Sequence, residues 1–172
     1  MVFVCRKSFF LNETEAVKLA MAMSQEPLAT PRNLALKVRP GATYAFHFSP
    51  ADTFIDRVVS GYPENPQHEW TAQGEKHSAA RRLSWDNPAE INRIWLFDRP
   101  NTSFIQVLSG LLVFSDGATL PVGALPDDGK SRLEVSFPSK TVNWLFFLIT
   151  GVKAETHNNG LAEIAVFGPE VP

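Results

Sequence analysis

The chain has 172 residues, 44% of them hydrophobic and 20% charged, with a formal net charge of -2 and a sequence pI near 6.1. That composition excludes a disordered chain and supplies enough apolar surface for a core. The slight acidity excludes a general nucleic-acid or anionic-membrane binder, and the single cysteine, Cys5, excludes an intramolecular disulfide.

The first apolar run is interrupted by Arg6 and Lys7 and the next by Asn12, Glu13 and Glu15. Neither forms the roughly 7–15-residue apolar stretch of a secretion signal, and no run approaches the roughly 20 residues of a membrane span. The expectation is a soluble, cytoplasmic protein without a membrane or nucleic-acid partner. Residues 12–25 read as a short helix. Asn12 is its cap, Glu15 completes a capping box, and Ala16, Ala20 and Met23 share one face. Pro27 and Pro31 end it, which gives an N-terminal extension over 1–31 and one domain over 32–172.

Beyond the extension the pattern is all-β. Strands are expected near 33–38, 43–48, 67–72, 80–85, 91–98, 104–107, 110–115, 118–122, 132–137, 142–149 and 162–167. Asp116-Gly117 between two apolar runs is a two-residue hairpin signal, because both positions tolerate positive φ. The 13 prolines and 10 glycines fall mostly between the strands. Strand 142–149 alternates Trp144, Phe146 and Leu148 with Leu145, Phe147 and Ile149, so it reads as central and covered on both faces. The second cover would be the N-terminal helix or another subunit of a homodimer. On that reading Trp144→Ala costs about 3–5 kcal/mol.

Certain segments, taken in order, resemble a known superfamily. They are Asn33 to Ala35, Ala51 to Asp56, Glu69 to Ala72 with Gly74-Glu75, Leu83 to Trp85, Ile91 to Asn101, Phe114 to Gly117 and Gly160 to Ile164. Together they resemble the galactose-binding-like jelly roll of discoidin domains and many carbohydrate-binding modules. More narrowly they resemble a fungal domain often appended to sugar-deacetylase-like enzymes. The resemblance implies a jelly-roll β-sandwich of two antiparallel sheets. It also implies a structural calcium, with Asp56 and Glu163 at the positions of the usual ligands. Arg57 departs from the pattern, since relatives carry a glycine there, and residues 75–82 and 101–106 depart as well.

Cofactor motifs are absent: no phosphate loop, no nucleophile elbow and no zinc spacing among His47, His68, His77 and His157. Polar groups at strand ends remain. Asp98, Arg99 and Asn101 either brace the turn at Pro100 or offer an acceptor and a donor fork to a ligand. His157 and Asn158 either form a turn or supply a proton donor near neutral pH. His68 and Trp70 would share a strand face opposite Glu69, and Trp70 is either core or a stacking surface for a sugar or planar ring. Tyr62 and Arg81 complete the ligand-binding candidates.

Two functions follow. One is a cofactor-free cyclase, isomerase or lyase of secondary metabolism, acting on an apolar metabolite. Asp98, Arg99, His157 and Glu69 would be its catalytic groups, with aromatic side chains walling the pocket. The other is a non-catalytic carbohydrate-binding module or lectin. The absence of an attached enzyme and an export signal tips the expectation towards the enzyme.

Overall fold

The computed structural model describes residue 28, residues 32–42, 53–72, 74, 76–100 and 105–169. The expected N-terminal helix and the expected strand at 43–48 lie outside these residues. The chain divides into a unit over Met1–Thr30 and a unit over Pro31–Pro172; the second carries the architecture.

That unit is a sandwich of two antiparallel sheets. Its strands are β1 (Arg39–Ala42), β2 (Trp70–Ala72), β3 (Ala80–Phe97), β4 (Val107–Phe114), β5 (Thr119–Val122), β6 (Arg132–Val152), β7 (Asn159–Leu161) and β8 (Glu163–Phe167). The large sheet runs β1-β3-β6-β4-β5, with β8 also paired to β3, and the small sheet is β2-β7. The all-β sandwich of two antiparallel sheets expected from the sequence is the fold found.

Two pairs of expected strands prove to be continuous. Residues 80–85 and 91–98 fuse into β3, and 132–137 and 142–149 fuse into β6. Prolines sit in the irregular stretches of the ladder. The β3–β6 register shifts between Ser84 and Ala89, around Pro88, and again between Ile91 and Arg93, opposite Pro138. Proline has no N–H to give a ladder, and a bulge is where a strand tolerates it. The expected strand at 33–38 is instead a 3-10 turn over Leu34–Lys37. Asn33 is its cap: Oδ1 accepts from Ala35 N at 3.1 Å and also from Val166 N at 3.1 Å. A hairpin forms at Asp116-Gly117, but its turn has three residues, Ser115 to Gly117, between the hydrogen-bonded Phe114 and Ala118; only Gly117 takes positive φ, 82°, and Ala118 N donates to Asp116 Oδ1.

The core lies between the sheets. Leu83, Ile94, Leu96, Leu112, Leu145, Phe147 and Ile149 of the large sheet meet Phe54, Trp70, Ala72 and Leu161. The reading of strand 142–149 as covered on both faces is corrected. Leu145, Phe147 and Ile149 are buried, whereas Trp144, Phe146 and Leu148 are only half-buried. The Arg82 guanidinium lies 5.2 Å from the Trp144 ring centre and 5.5 Å from that of Phe146. An aliphatic stem and a planar cation thus shelter this face, as long basic side chains do on other open sheets.

The energetic weight therefore sits on the other face of β6. Phe147→Ala is expected to cost about 3–5 kcal/mol, as a large-to-small change at a fully buried site. Trp144→Ala is expected to cost clearly less. Urea unfolding midpoints of the two variants at equal m-value check the order. Equal losses would place Trp144 in the core after all.

Candidate functional site

At one end of the sandwich the polypeptide leaves β3, enters β2 and enters β7 side by side. Arg99 lies two residues beyond Phe97, the last residue of β3, and Glu69 precedes the first of β2. The two form a fork-to-fork pair: Arg99 Nε donates to Glu69 Oε2 at 2.8 Å and Nη2 to Oε1 at 2.5 Å. Arg99 Nη1 donates to the carbonyl of Asn158 at 2.7 Å, before β7. Arg99 is 4% exposed and Glu69 1%, so each charge is satisfied almost wholly by the other. Thr53 Oγ1 donates to the Glu69 carbonyl and Thr71 Oγ1 to Oε1. Asn158 Oδ1 accepts from Gly74 N at 2.9 Å and so ties the two loops of the small sheet.

Two glycines make this close approach feasible. A Cβ on Gly61 would collide with the Glu69 carboxylate and Pro100, and one on Gly160 would collide with the Trp70 carbonyl. Tyr62, next to Gly61, stands 52% exposed. The tip therefore presents an open aromatic ring on a loop packed against a rigid buried ion pair.

Asp98 is placed differently. It is 2% exposed; Oδ1 accepts from Arg99 N at 2.8 Å and Oδ2 from Val107 N at 2.9 Å. Burial pushes its carboxyl up to about 7, against the opposing pull of the two amides; Asp127 adds to the rise and Arg99 lowers it. Both oxygens are spent on the backbone, so Asp98 braces the crossing from β3 to β4 and reaches no ligand.

The remaining candidates do not converge. Trp70 is fully buried, with Arg81 4.6 Å from its ring centre. Arg81 is itself 1% exposed and lies 4.9 Å from Phe54. Neither is a surface ligand group, which corrects both assignments. Burial lowers Arg81 to about 9. His68 closes a 3-10 turn over Pro66–His68 and does not share a strand face with Trp70. Its Nδ1 lies 2.6 Å from Asp56 Oδ2. His157 is exposed, apart from the buried pair. Asn101 lies outside the described residues.

Asp56 and Glu163 do come together. Arg57 donates its backbone N–H to Glu163 Oε2 at 2.9 Å. Arg57 takes φ 75°, the left-handed conformation that a glycine adopts at no cost. The departure from the expected glycine therefore leaves the loop intact. Glu163 is fully buried, and its Oε1 has no hydrogen-bond partner among the described residues. Burial, together with the charge of Asp56, pushes it up to about 9. A buried orphan oxygen beside a second carboxylate is the donor chemistry of a hard cation. Among the described residues no three acidic, histidine or cysteine side chains gather, so backbone carbonyls would have to complete such a shell.

The ion pair is the feature that sequence reading missed. Arg99 and Glu69 were each noted, 30 positions apart, but nothing local joins them. The available signal was the sequence Asp98-Arg99-Pro100, which ends an apolar strand on two charges.

A family model described as "Domain of unknown function (DUF7402)" matches residues 33–167. No curated protein matches the sequence. Among solved structures, the lectin domain of lectinolysin complexed with Lewis B antigen is similar, with a TM-score of 0.62 at 16% identity, over 83% of this chain and 100% of that one. CpGH89CBM32-5 from Clostridium perfringens, in complex with GalNAc-β-1,3-galactose, gives 0.61 at 16% identity over 78% and 97%. The Streptococcus pneumoniae fucose binding module SpX-3 gives 0.59 at 12% identity over 80% and 98%.

The expectation of a cofactor-free cyclase is corrected on these grounds. Its acid, Asp98, is sealed under two amides, and its donor, Arg99, is consumed by Glu69 and Asn158. The aromatic side chains meant to wall a pocket, such as Phe54, Trp70 and Phe147, are packed in the core. The similar structures named above are lectin domains and binding modules.

Asp98 carries a pH signature. Its folded value near 7 lies above the ordinary 3.8, so the folded state holds the proton more tightly than the unfolded chain. Its contribution to stability is complete below about pH 4 and is lost as pH rises through about 7. Thermal midpoints across that window should fall more steeply for the wild type than for Asp98→Asn. Parallel curves would mean that Asp98 stays ionised in the fold.

Proposed function

The chain belongs to the DUF7402 family, and we propose that it is a non-catalytic carbohydrate-binding module. The observation that carries this reading is Tyr62, an exposed aromatic ring on a loop held against the buried Arg99–Glu69 pair. A sugar ring offers an apolar C–H face and a polar rim. Tyrosine answers with an apolar face and a hydroxyl at its edge. Because the loop is anchored before any ligand arrives, less ordering entropy is lost on binding. The similar lectin domain and modules, described with Lewis B antigen and GalNAc-β-1,3-galactose, favour a terminal hexose or fucose as the ligand class. His157, exposed on the loop before β7, supplies a polar group at the same end.

We extend the proposal to a structural calcium held by Asp56 and Glu163, with backbone carbonyls completing its shell. A cation there would neutralise the buried Glu163 carboxylate and fix the loop of Arg57 on which the tip rests. It has no chemical step to perform.

Glycan-array screening followed by calorimetry checks the first part. Galactose- or fucose-terminated glycans should bind the wild type, and Tyr62→Ala should weaken that binding at least about tenfold with an unchanged thermal midpoint, as loss of a stacking surface predicts. No binding to any glycan, or full binding by the variant, would sink it. For the second part, calcium should raise the thermal midpoint by mass action, a chelator should reverse the rise, and Glu163→Gln should abolish it. An equal rise in the Gln variant would remove Glu163 from the site.

A further inference from the structure

We propose a second binding site, separate from the tip, in the bulge between β3 and β6, and the class of ligand it fits is a single neutral pyranose or similar polyol. The ladder passes from Ile91↔Lys140 to Arg93↔Ser136, so the bulge leaves Asn92 on one strand opposite Phe137, Pro138 and Ser139 on the other. With no N–H on Pro138 the strands cannot close this gap. The result is a cleft of about 240 Å³ lined by Asn92, Arg93, Glu134, Ser136, Phe137 and Gly168.

The lining has the mixed donor and acceptor character that a hydroxylated ring requires, since each sugar hydroxyl both donates and accepts. Glu134 Oε2 accepts from Trp95 Nε1 at 2.8 Å, which fixes the carboxylate and leaves Oε1 as an acceptor. The Arg93 guanidinium lies 4.8 Å from the Phe167 ring centre and 5.6 Å from that of Trp95, which places a cation on the cleft wall. The side chains of Asn92 and Ser136 add an amide and a hydroxyl, neither engaged in a hydrogen bond among the described residues. Glu134 is 41% exposed and Ser136 is exposed, so a ligand reaches them from solvent.

Size and charge narrow the class. Pockets for drug-sized ligands start near 300 Å³, so this cleft suits one ring rather than a chain. Among the lining residues Arg93 and Glu134 are of opposite charge, and Arg132 Nε lies 3.8 Å from Glu134 Oε2 just outside the lining; with each charge set beside an opposite one, the cleft fits a neutral ligand. Polar walls disfavour an apolar ligand. The cleft lies six residues before Arg99, roughly 20 Å along an extended chain, and the proposal does not rest on the reading of the tip.

The test is a titration of the isotope-labelled full chain with galactose, fucose, N-acetylgalactosamine and glucose, each up to its solubility, followed by NMR. The indole N–H of Trp95 is the reporter, because it donates to Glu134. The expected result is a saturable shift of that resonance and of the Asn92 amide with at least one sugar. It should persist in Tyr62→Ala and weaken at least about tenfold in Ser136→Arg, which fills the cleft from an exposed position. Asn92→Ala serves as a second variant should the arginine disturb folding. No shift of the Trp95 indole with any of the sugars would overturn the proposal, as would an unchanged shift in both cleft variants or its loss in Tyr62→Ala. Shifts confined to the tip sink this site and spare the proposed function. Shifts confined to the cleft support this site and sink the reading of the tip.

Discussion

The buried pair between Arg99 and Glu69 holds together the end of the sandwich where β3 leaves and β2 and β7 begin. The small sheet has only three residues in each strand, too few for its ladder to hold the fold closed alone. Arg99, issuing from the end of β3, grips Glu69 at the entry to β2 and the Asn158 carbonyl at the entry to β7. One guanidinium thus binds both strands of the small sheet to the long central strand of the large one. Taking two charges out of water costs several kcal/mol each. Bidentate geometry, with the third donor spent on a carbonyl, is what offsets that cost. Because the approach is so close, Gly61 and Gly160 have no room for a side chain.

The three buried carboxylates show how partners decide charge. Glu69 faces a guanidinium. Asp98 faces two backbone amides, which do not outweigh its desolvation, and it is pushed up to about 7. Glu163 receives one amide, sits near Asp56 and is pushed further, to about 9. Arg81 is the converse case: a cation with two aromatic faces and, among the described residues, no hydrogen-bond acceptor, lowered by burial to about 9. Stacking on Phe54 and Trp70 supplies part of the lost solvation. Polar groups are therefore structural within the core, and the surfaces proposed for recognition, the tip around Tyr62 and the cleft where the β3–β6 ladder opens, lie outside it.

Much of the fold was legible. The apolar runs at 110–115, 118–122 and 162–167 marked real strands, and Asp116-Gly117 marked a real hairpin. Errors arose where a local rule met a longer-range constraint. Residues 80–85 and 91–98 read as two strands, as did 132–137 and 142–149, yet each pair is one strand that bulges where Pro88 and Pro138 fall. Trp144 and Phe147 are equally apolar, but only the second faces the other sheet. The candidate site was less legible. Asp98, Arg99 and Glu69 were picked out as polar groups near strand ends, but what each was bonded to was invisible.

The sequence by itself determined the all-β class, the positions of most strands and turns and the lack of any cofactor motif, because these depend on side-chain periodicity and backbone preference within a few residues. The tertiary structure alone decided which polar groups are consumed and which remain open. Glu69 and Arg99 are 30 positions apart, Arg99 and Asn158 are 59, and Arg57 and Glu163 are 106. Whether a charge is buried, paired or presented to solvent is a property of segments brought together by folding, and no local pattern encodes it.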